Sequence, residues 1–131
     1  MHIKFTVVTT RKSPHDLVVP EDTPKEYLGT WTIHALVAKE GIEAIDELIA
    51  GNREYQEDPQ KISISLIRQR LIEKATTKDD EPIGKMDFEK MPYKLWQVLV
   101  AANERLNGVS DEEARFLLAP SYSKKKQSIQ Q

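Results

Sequence analysis

The chain has 131 residues, 39% of them hydrophobic and 31% charged, with a mean hydropathy of -0.55 and a formal net charge of -2. That length supports one domain with one modest core, and a pI near 5.9 argues against a dedicated nucleic-acid domain, which usually exceeds about 9. With no cysteine in the chain, disulfides, thiolate nucleophiles and cysteine zinc sites are excluded.

Ile3, Phe5 and Val7 alternate with His2, Lys4 and Thr6, which predicts a half-buried strand. Residues 11–14 carry turn chemistry, and Leu17, Val18 and Val19 form a second short run ended by Pro20, so the two runs are expected to pair as an N-terminal β-hairpin. Two strands alone are marginal in water, and one face must be covered by helices or by a second copy of the chain. Thr23, Pro24 and Glu26 combine a capping box with proline at a first helical position. Tyr27, Leu28, Trp31, Ala35 and Ala38 then recur at helical steps up to Gly41, although Gly29, Thr30 and Thr32 lower the helical propensity. Ile42, Ile45, Leu48 and Ile49 make an apolar stripe opposite Glu43, Asp46 and Glu47, closed by Gly51 and Asn52.

Residues 53–59 are polar and read as a surface loop. Ile62, Ile64 and Leu66 alternate as in a strand, while Ile64, Ile67, Leu71 and Ile72 fit a helical stripe; the good helix formers over 66–74 favour the helix. Residues 76–84, TTKDDEPIG, have charge, proline and glycine without apolar periodicity and are expected to form a linker. From Met91 and Pro92, the residues Leu95, Trp96, Leu99, Ala102 and Leu106 follow at core spacing until Gly108. Ser110 and Glu113 form another capping box, predicting a last helix over 111–119 before Pro120. The expected fold class is α+β, predominantly α-helical. It comprises an N-terminal β-hairpin, four to five helices in one domain over 1–120, and a polar, lysine-containing tail over 121–131. Leu95, Trp96, Leu99 and Leu106 are expected at the centre of the core.

Residues that could carry chemistry are sparse. The three histidines, His2, His15 and His34, have no metal-ligand spacing; His2 and His15 are expected to face each other across the hairpin, and His34 to lie on a helix flank. Asp79, Asp80 and Glu81 read as a hydrated acidic run rather than paired acid and base. There is no GxSxG elbow, P-loop or dinucleotide fingerprint, so neither a catalytic nor a cofactor site is expected. Trp31 and Trp96 sit among leucines and alanines and read as core residues. No stretch approaches the roughly 20 apolar residues of a membrane span, and residues 1–10 lack signal-peptide character, so a cytoplasmic location is expected.

Three neighbouring apolar residues, Phe116, Leu117 and Leu118, cannot all face one side of a helix, because successive residues turn by about 100°. At least one is expected to be available to a partner, and Lys124, Lys125 and Lys126 follow as a basic run in the tail. In size, helical content and hydrophilic end, the chain resembles the tail assembly chaperones of long-tailed (siphovirus-type) bacteriophages. The resemblance implies a non-enzymatic protein without cofactors that holds a tape-measure or tail-tube protein in the host cytoplasm during tail assembly. In that family a minor product often arises by ribosomal frameshifting late in the reading frame, and an adenine-rich slippery heptamer is one way to encode Lys124 to Lys126. The alternative is a small DNA-associated regulator, since LNGVSDEEARFLL has helix-turn-helix spacing. Asp111, Glu112 and Glu113 oppose that reading, because three carboxylates would meet the phosphates.

Overall fold

A computed structural model describes residues 1–84 and 87–108. Its elements are strand β1 (His2–Val8), strand β2 (Asp16–Val18), a 3-10 turn (Lys25–Tyr27), strand β3 (Gly29–His34), helix α1 (Ala38–Ala50), helix α2 (Arg53–Glu57), a second 3-10 turn (Pro59–Lys61), helix α3 (Ile64–Ala75), strands β4 (Thr76–Lys78) and β5 (Glu81–Pro82), and helix α4 (Tyr93–Asn107). The fold is therefore α+β, with a mixed five-stranded sheet in the order β2-β1-β3-β4-β5. The expected linker at 76–84 and the expected helix from Thr23 both contribute strands to it.

The N-terminal pair is not a hairpin. β1 and β2 run parallel, with Val7 opposite Leu17. Parallel neighbours ordinarily need a long crossover, but β2 re-enters beside the end of β1, so the chain has only to step back two residues. The Asp16 carboxylate makes that step by accepting the backbone N–H groups of Lys12 and Ser13, each at 2.9 Å. The antiparallel partner of β1 is β3, in a register that sets Phe5 against Trp31 and Ile3 against Ile33. Residues 29–34 carry a helical spacing on paper, but Thr30, Thr32 and Ile33 are β-branched and favour a strand once a partner edge is present. Trp31 and Ile33 then point to the same face as Ile3, Phe5 and Val7. The opposite face carries His2 against His34, with ring centroids 6.2 Å apart, so His2 pairs with His34 rather than with His15, and His34 lies on a strand, not a helix flank.

TTKDDEPIG closes as a tight hairpin. Asp79 and Asp80 both have positive φ (51° and 65°), as a two-residue connection matching sheet twist requires. Asp79 locks this turn to β3: its N–H donates to the Thr30 carbonyl at 2.7 Å, and its Oδ1 accepts from Thr30 N at 2.9 Å. With a further bond from Lys78 Nζ, these contacts hold the Asp79 carboxyl below the usual carboxylate range, the Thr30 N–H bond contributing most.

Helices α3 and α4 lie on the apolar sheet face, and α1 packs on α3. Ile33, Ile72, Leu95 and Leu99 are fully buried at the centre, with Val7 and Trp31 beside them. Trp96 and Leu106, expected at that centre, are only partly buried at its margin, because the four-residue step Leu95–Leu99 aims at the sheet and Trp96 is turned about 100° away. Trp31 Nε1 donates to the Tyr27 carbonyl at 2.9 Å, and the Tyr27 hydroxyl to the Asp87 carbonyl at 2.6 Å. Burial, reinforced by the nearby charges of Glu26 and Asp87, pushes the Tyr27 phenol above its ordinary value. α1 starts earlier than the sequence indicates, so Gly41 falls inside it instead of ending a helix. Residues 53–59, expected as loop, contain α2, capped by Asn52, whose side chain accepts from Glu54 N. The 62–66 ambiguity resolves as the favoured helix: Ser63 caps α3 by accepting from Leu66 N at 3.1 Å. Among the described residues, no helix is long and apolar enough to cross a membrane.

Candidate functional site

The sequence-derived partner residues Phe116, Leu117, Leu118, Lys124, Lys125 and Lys126 lie outside the described residues, as do the expected last helix over 111–119 and the second half of the helix-turn-helix-like segment. What the structure does place is the base from which that segment departs. α4 ends at Asn107, and Gly108 follows in an extended conformation, its N–H donating to the Glu104 carbonyl at 3.0 Å.

Beside this exit lies an apolar groove of about 600 Å³. It is lined by Leu36 and Val37 of the β3–α1 connection, by Ala38, Gly41, Ile42, Ile45 and Asp46 of α1, by Leu71 of α3, and by Leu106 and Asn107 of α4. Val37 is 63% exposed and Ile42 61%, high for large aliphatic side chains at neighbouring positions. The stripe on α1 explains why: Ala44 and Leu48 face α3 and are buried, and Ile42 is rotated out of that contact. Gly41 adds no side chain to this lining; a Cβ there would meet Leu71 Cδ2 at 3.9 Å.

The groove wall is held by Asn107. Its Oδ1 accepts from Leu36 N at 2.6 Å, and its Nδ2 donates to the His34 carbonyl at 3.0 Å and to Asn103 Oδ1 at 3.1 Å. One amide thus joins the end of α4 to the connection that precedes α1. At the start of α1, Glu40 Oε1 accepts from Val37 N at 3.0 Å, the acidic half of a capping box whose other half valine cannot supply. α1 is acidic along its exposed side, with Glu40, Glu43, Asp46 and Glu47 against Lys39 alone.

A second hollow, of about 450 Å³, lies between α3 and the approach to α4. Phe88 meets Trp96 edge-on at 4.9 Å, with Met91, exposed Tyr93 and Arg68 around them. Arg68 is engaged with Glu104 at 3.1 Å. Trp96, expected as core, therefore packs as part of an open aromatic wall. A third hollow is lined in part by the pairs Arg70–Glu73 at 3.4 Å and Lys74–Glu47 at 3.9 Å and by Thr76, whose buried Oγ1 has no hydrogen-bond partner among the described residues. Among the described residues, no group of three or more His, Asp or Glu side chains is placed to hold a metal ion.

No protein-family model, no curated protein and no solved structure matches this chain. The groove itself was foreshadowed only by the apolar stripe at Ile42 and Ile45. Nothing in the sequence marks Leu36, Val37 and Leu106 as neighbours of that stripe, since they come together only through the β3–α1 and α4 geometry.

Proposed function

We propose that this protein is a non-enzymatic holding protein that binds an apolar segment of another protein, acting as a phage tail assembly chaperone for tape-measure or tail-tube protein in the host cytoplasm. The observation that carries the reading is the groove: two aliphatic side chains more than 60% exposed, at a site of about 600 Å³ lined mainly by aliphatic residues, with Asp46 and Asn107 as its polar members. Ligand grooves of this size and character suit apolar side chains, with affinity coming from water-excluded area. An amphipathic helix offering residues at i, i+3 and i+4 is the partner form that such a groove between helices accepts. The family resemblance supplies the identity of that partner.

The test is co-expression with a tape-measure fragment, scored as the fraction of that fragment recovered soluble. The parent chain raises the soluble fraction severalfold, and Ile42→Asp removes most of the gain while leaving the melting temperature within a few degrees, since Ile42 is mainly exposed. Equal tape-measure solubility with and without this protein would refute the chaperone reading.

A further inference from the structure

We infer that the groove takes a basic amphipathic helix: apolar side chains of the partner cover Val37, Ile42 and Ile45, and a lysine or arginine about one turn away from them meets Asp46. The inference rests on the holding function proposed above for this site and adds to it the charge and register of the segment held.

Among the described residues, Asp46 is the one charged side chain in the groove lining. It is exposed, and within the same residues no cation or hydrogen-bond donor is placed on its carboxylate. While the groove is open, water serves that carboxylate. A partner that covers the groove must either bring it a cation or strip its water without return, which disfavours a wholly apolar or acidic segment.

The helix sets where the cation has to be. Four residues turn α1 by about 400°, so Asp46 lies one turn beyond Ile42 and about 40° further round, away from the buried Ala44 and Leu48. Glu43 follows on the same rim, about 60° beyond Asp46. Its Oε1 is 3.9 Å from Lys39 Nζ, with both side chains well exposed, and such a pair contributes little and leaves Glu43 able to accept a second cation. The other two carboxylates of α1 are engaged elsewhere: Glu40 accepts from Val37 N at 3.0 Å, and Glu47 lies 3.9 Å from Lys74. On α3 and α4, which supply Leu71 and Leu106 to the lining, Arg68 and Glu104 pair at 3.1 Å and cancel. The α1 side of the mouth is therefore negative, beside exposed aliphatic area. In such an arrangement the apolar contact supplies affinity, and the rim charge selects the partner and its register.

The test uses the full chain and two dye-labelled synthetic helical peptides. Both carry leucines at i, i+3, i+4 and i+7, and they differ only in having lysine or glutamate at the flanking positions. Fluorescence anisotropy at low ionic strength should show the lysine peptide binding about tenfold tighter, since one exposed pair is worth up to about fivefold and the glutamate peptide loses a comparable amount to repulsion. Added salt should narrow the ratio. Asp46→Lys should abolish or reverse the preference. Glu21→Lys, the same charge change at an exposed residue of the β2–β3 connection, should leave it, and Ile42→Ser should weaken both peptides severalfold. Binding of neither peptide, equal affinity for the two, a lysine preference that survives Asp46→Lys, or binding that Ile42→Ser leaves untouched would each overturn the inference. So would a parent chain that sediments as a dimer at the assay concentration and as a monomer once Ile42→Ser is made, because the occupant would then be a second copy. Equal affinities that Ile42→Ser weakens remove only the charge of the occupant and leave the holding function, whereas a lysine preference alongside unchanged tape-measure solubility removes only the chaperone reading.

Discussion

Replacing Asn107 by alanine removes three hydrogen bonds from one place and tests whether this amide ties α4 to the groove wall. The His34 carbonyl it releases is exposed and can turn to water. Leu36 N and Asn103 Oδ1 cannot do so as freely: both bonds are part-buried, and Asn103 is only 4% exposed. A buried polar group left without a partner costs about 1 to 3 kcal/mol. Two such groups, taken at the lower part of that range for partial burial, sum to about 2 to 4 kcal/mol. For a chain of this size that corresponds to a fall in melting temperature of roughly 8 to 16 °C.

Urea unfolding followed by the fluorescence of Trp31 and Trp96 reads the change as a lower midpoint with an unchanged slope, which separates lost stability from an altered denatured state. Asn107→Asp provides an internal check. Its carboxylate keeps an acceptor for Leu36 N but sets negative charge against Asn103 Oδ1 and the His34 carbonyl, at a helix C-terminus where anions are disfavoured. The native environment would therefore raise that carboxyl above its unfolded value, and the deficit against the parent should shrink as pH falls through the raised value and a donor is restored. A midpoint shift equivalent to less than about 0.5 kcal/mol for Asn107→Ala, the usual range for neutral surface changes, would refute the claim that Asn107 holds the groove wall.

Leu99→Ala, at a fully buried side chain between α4 and the sheet, should cost about 3 to 5 kcal/mol in denaturant unfolding, and Trp96→Ala should cost less than Leu99→Ala because Trp96 stands at the core margin. Gly29→Ala should destabilise by at least about 1 to 3 kcal/mol, because its φ is +133° and a Cβ would lie 2.7 Å from Asp79 Oδ2; a thermal melt that matches the parent would disprove the strain. Asp79→Asn should flatten the acid side of the stability profile: the carboxyl is held below its ordinary range, so its contribution is present above the unfolded value and lost as pH falls through the native one. Gly41→Ala should stabilise by about 0.5 to 1 kcal/mol, since the position is helical and the new Cβ would meet only Leu71 Cδ2 at 3.9 Å. Any binding to duplex DNA should be nonspecific, fall steeply with salt, and vanish on truncation after Ser123; salt-resistant, sequence-specific binding by the truncated chain would favour the regulator instead.

Where the residues set their own conformation, the sequence was a sufficient guide. Alternation in β1, the stripe of α1, the helix favoured over 66–74 and the Pro92 start and Gly108 end of α4 are local patterns, and each appears in the structure. The α+β class follows from them. Residues 24–34 were read at the wrong period because Tyr27, Leu28 and Trp31 happen to fall at three- and four-residue steps; β-branched Thr30, Thr32 and Ile33 are the signal that a strand was intended.

Tertiary structure alone decided strand pairing, and with it the site. That β2 lies parallel to β1 depends on Asp16 folding the loop back, and that residues 76–82 form an edge hairpin depends on Asp79 finding the backbone of Thr30, 49 residues away. Periodicity reports which face of an element is apolar but not which neighbour covers it, because that is fixed by contacts between residues distant in the chain. For the same reason the stripe at Ile42 and Ile45 was legible and the groove was not. Its lining also includes Leu36 and Leu106, 70 residues apart in sequence, at a place where the side chain of Asn107 accepts from the backbone N–H of Leu36.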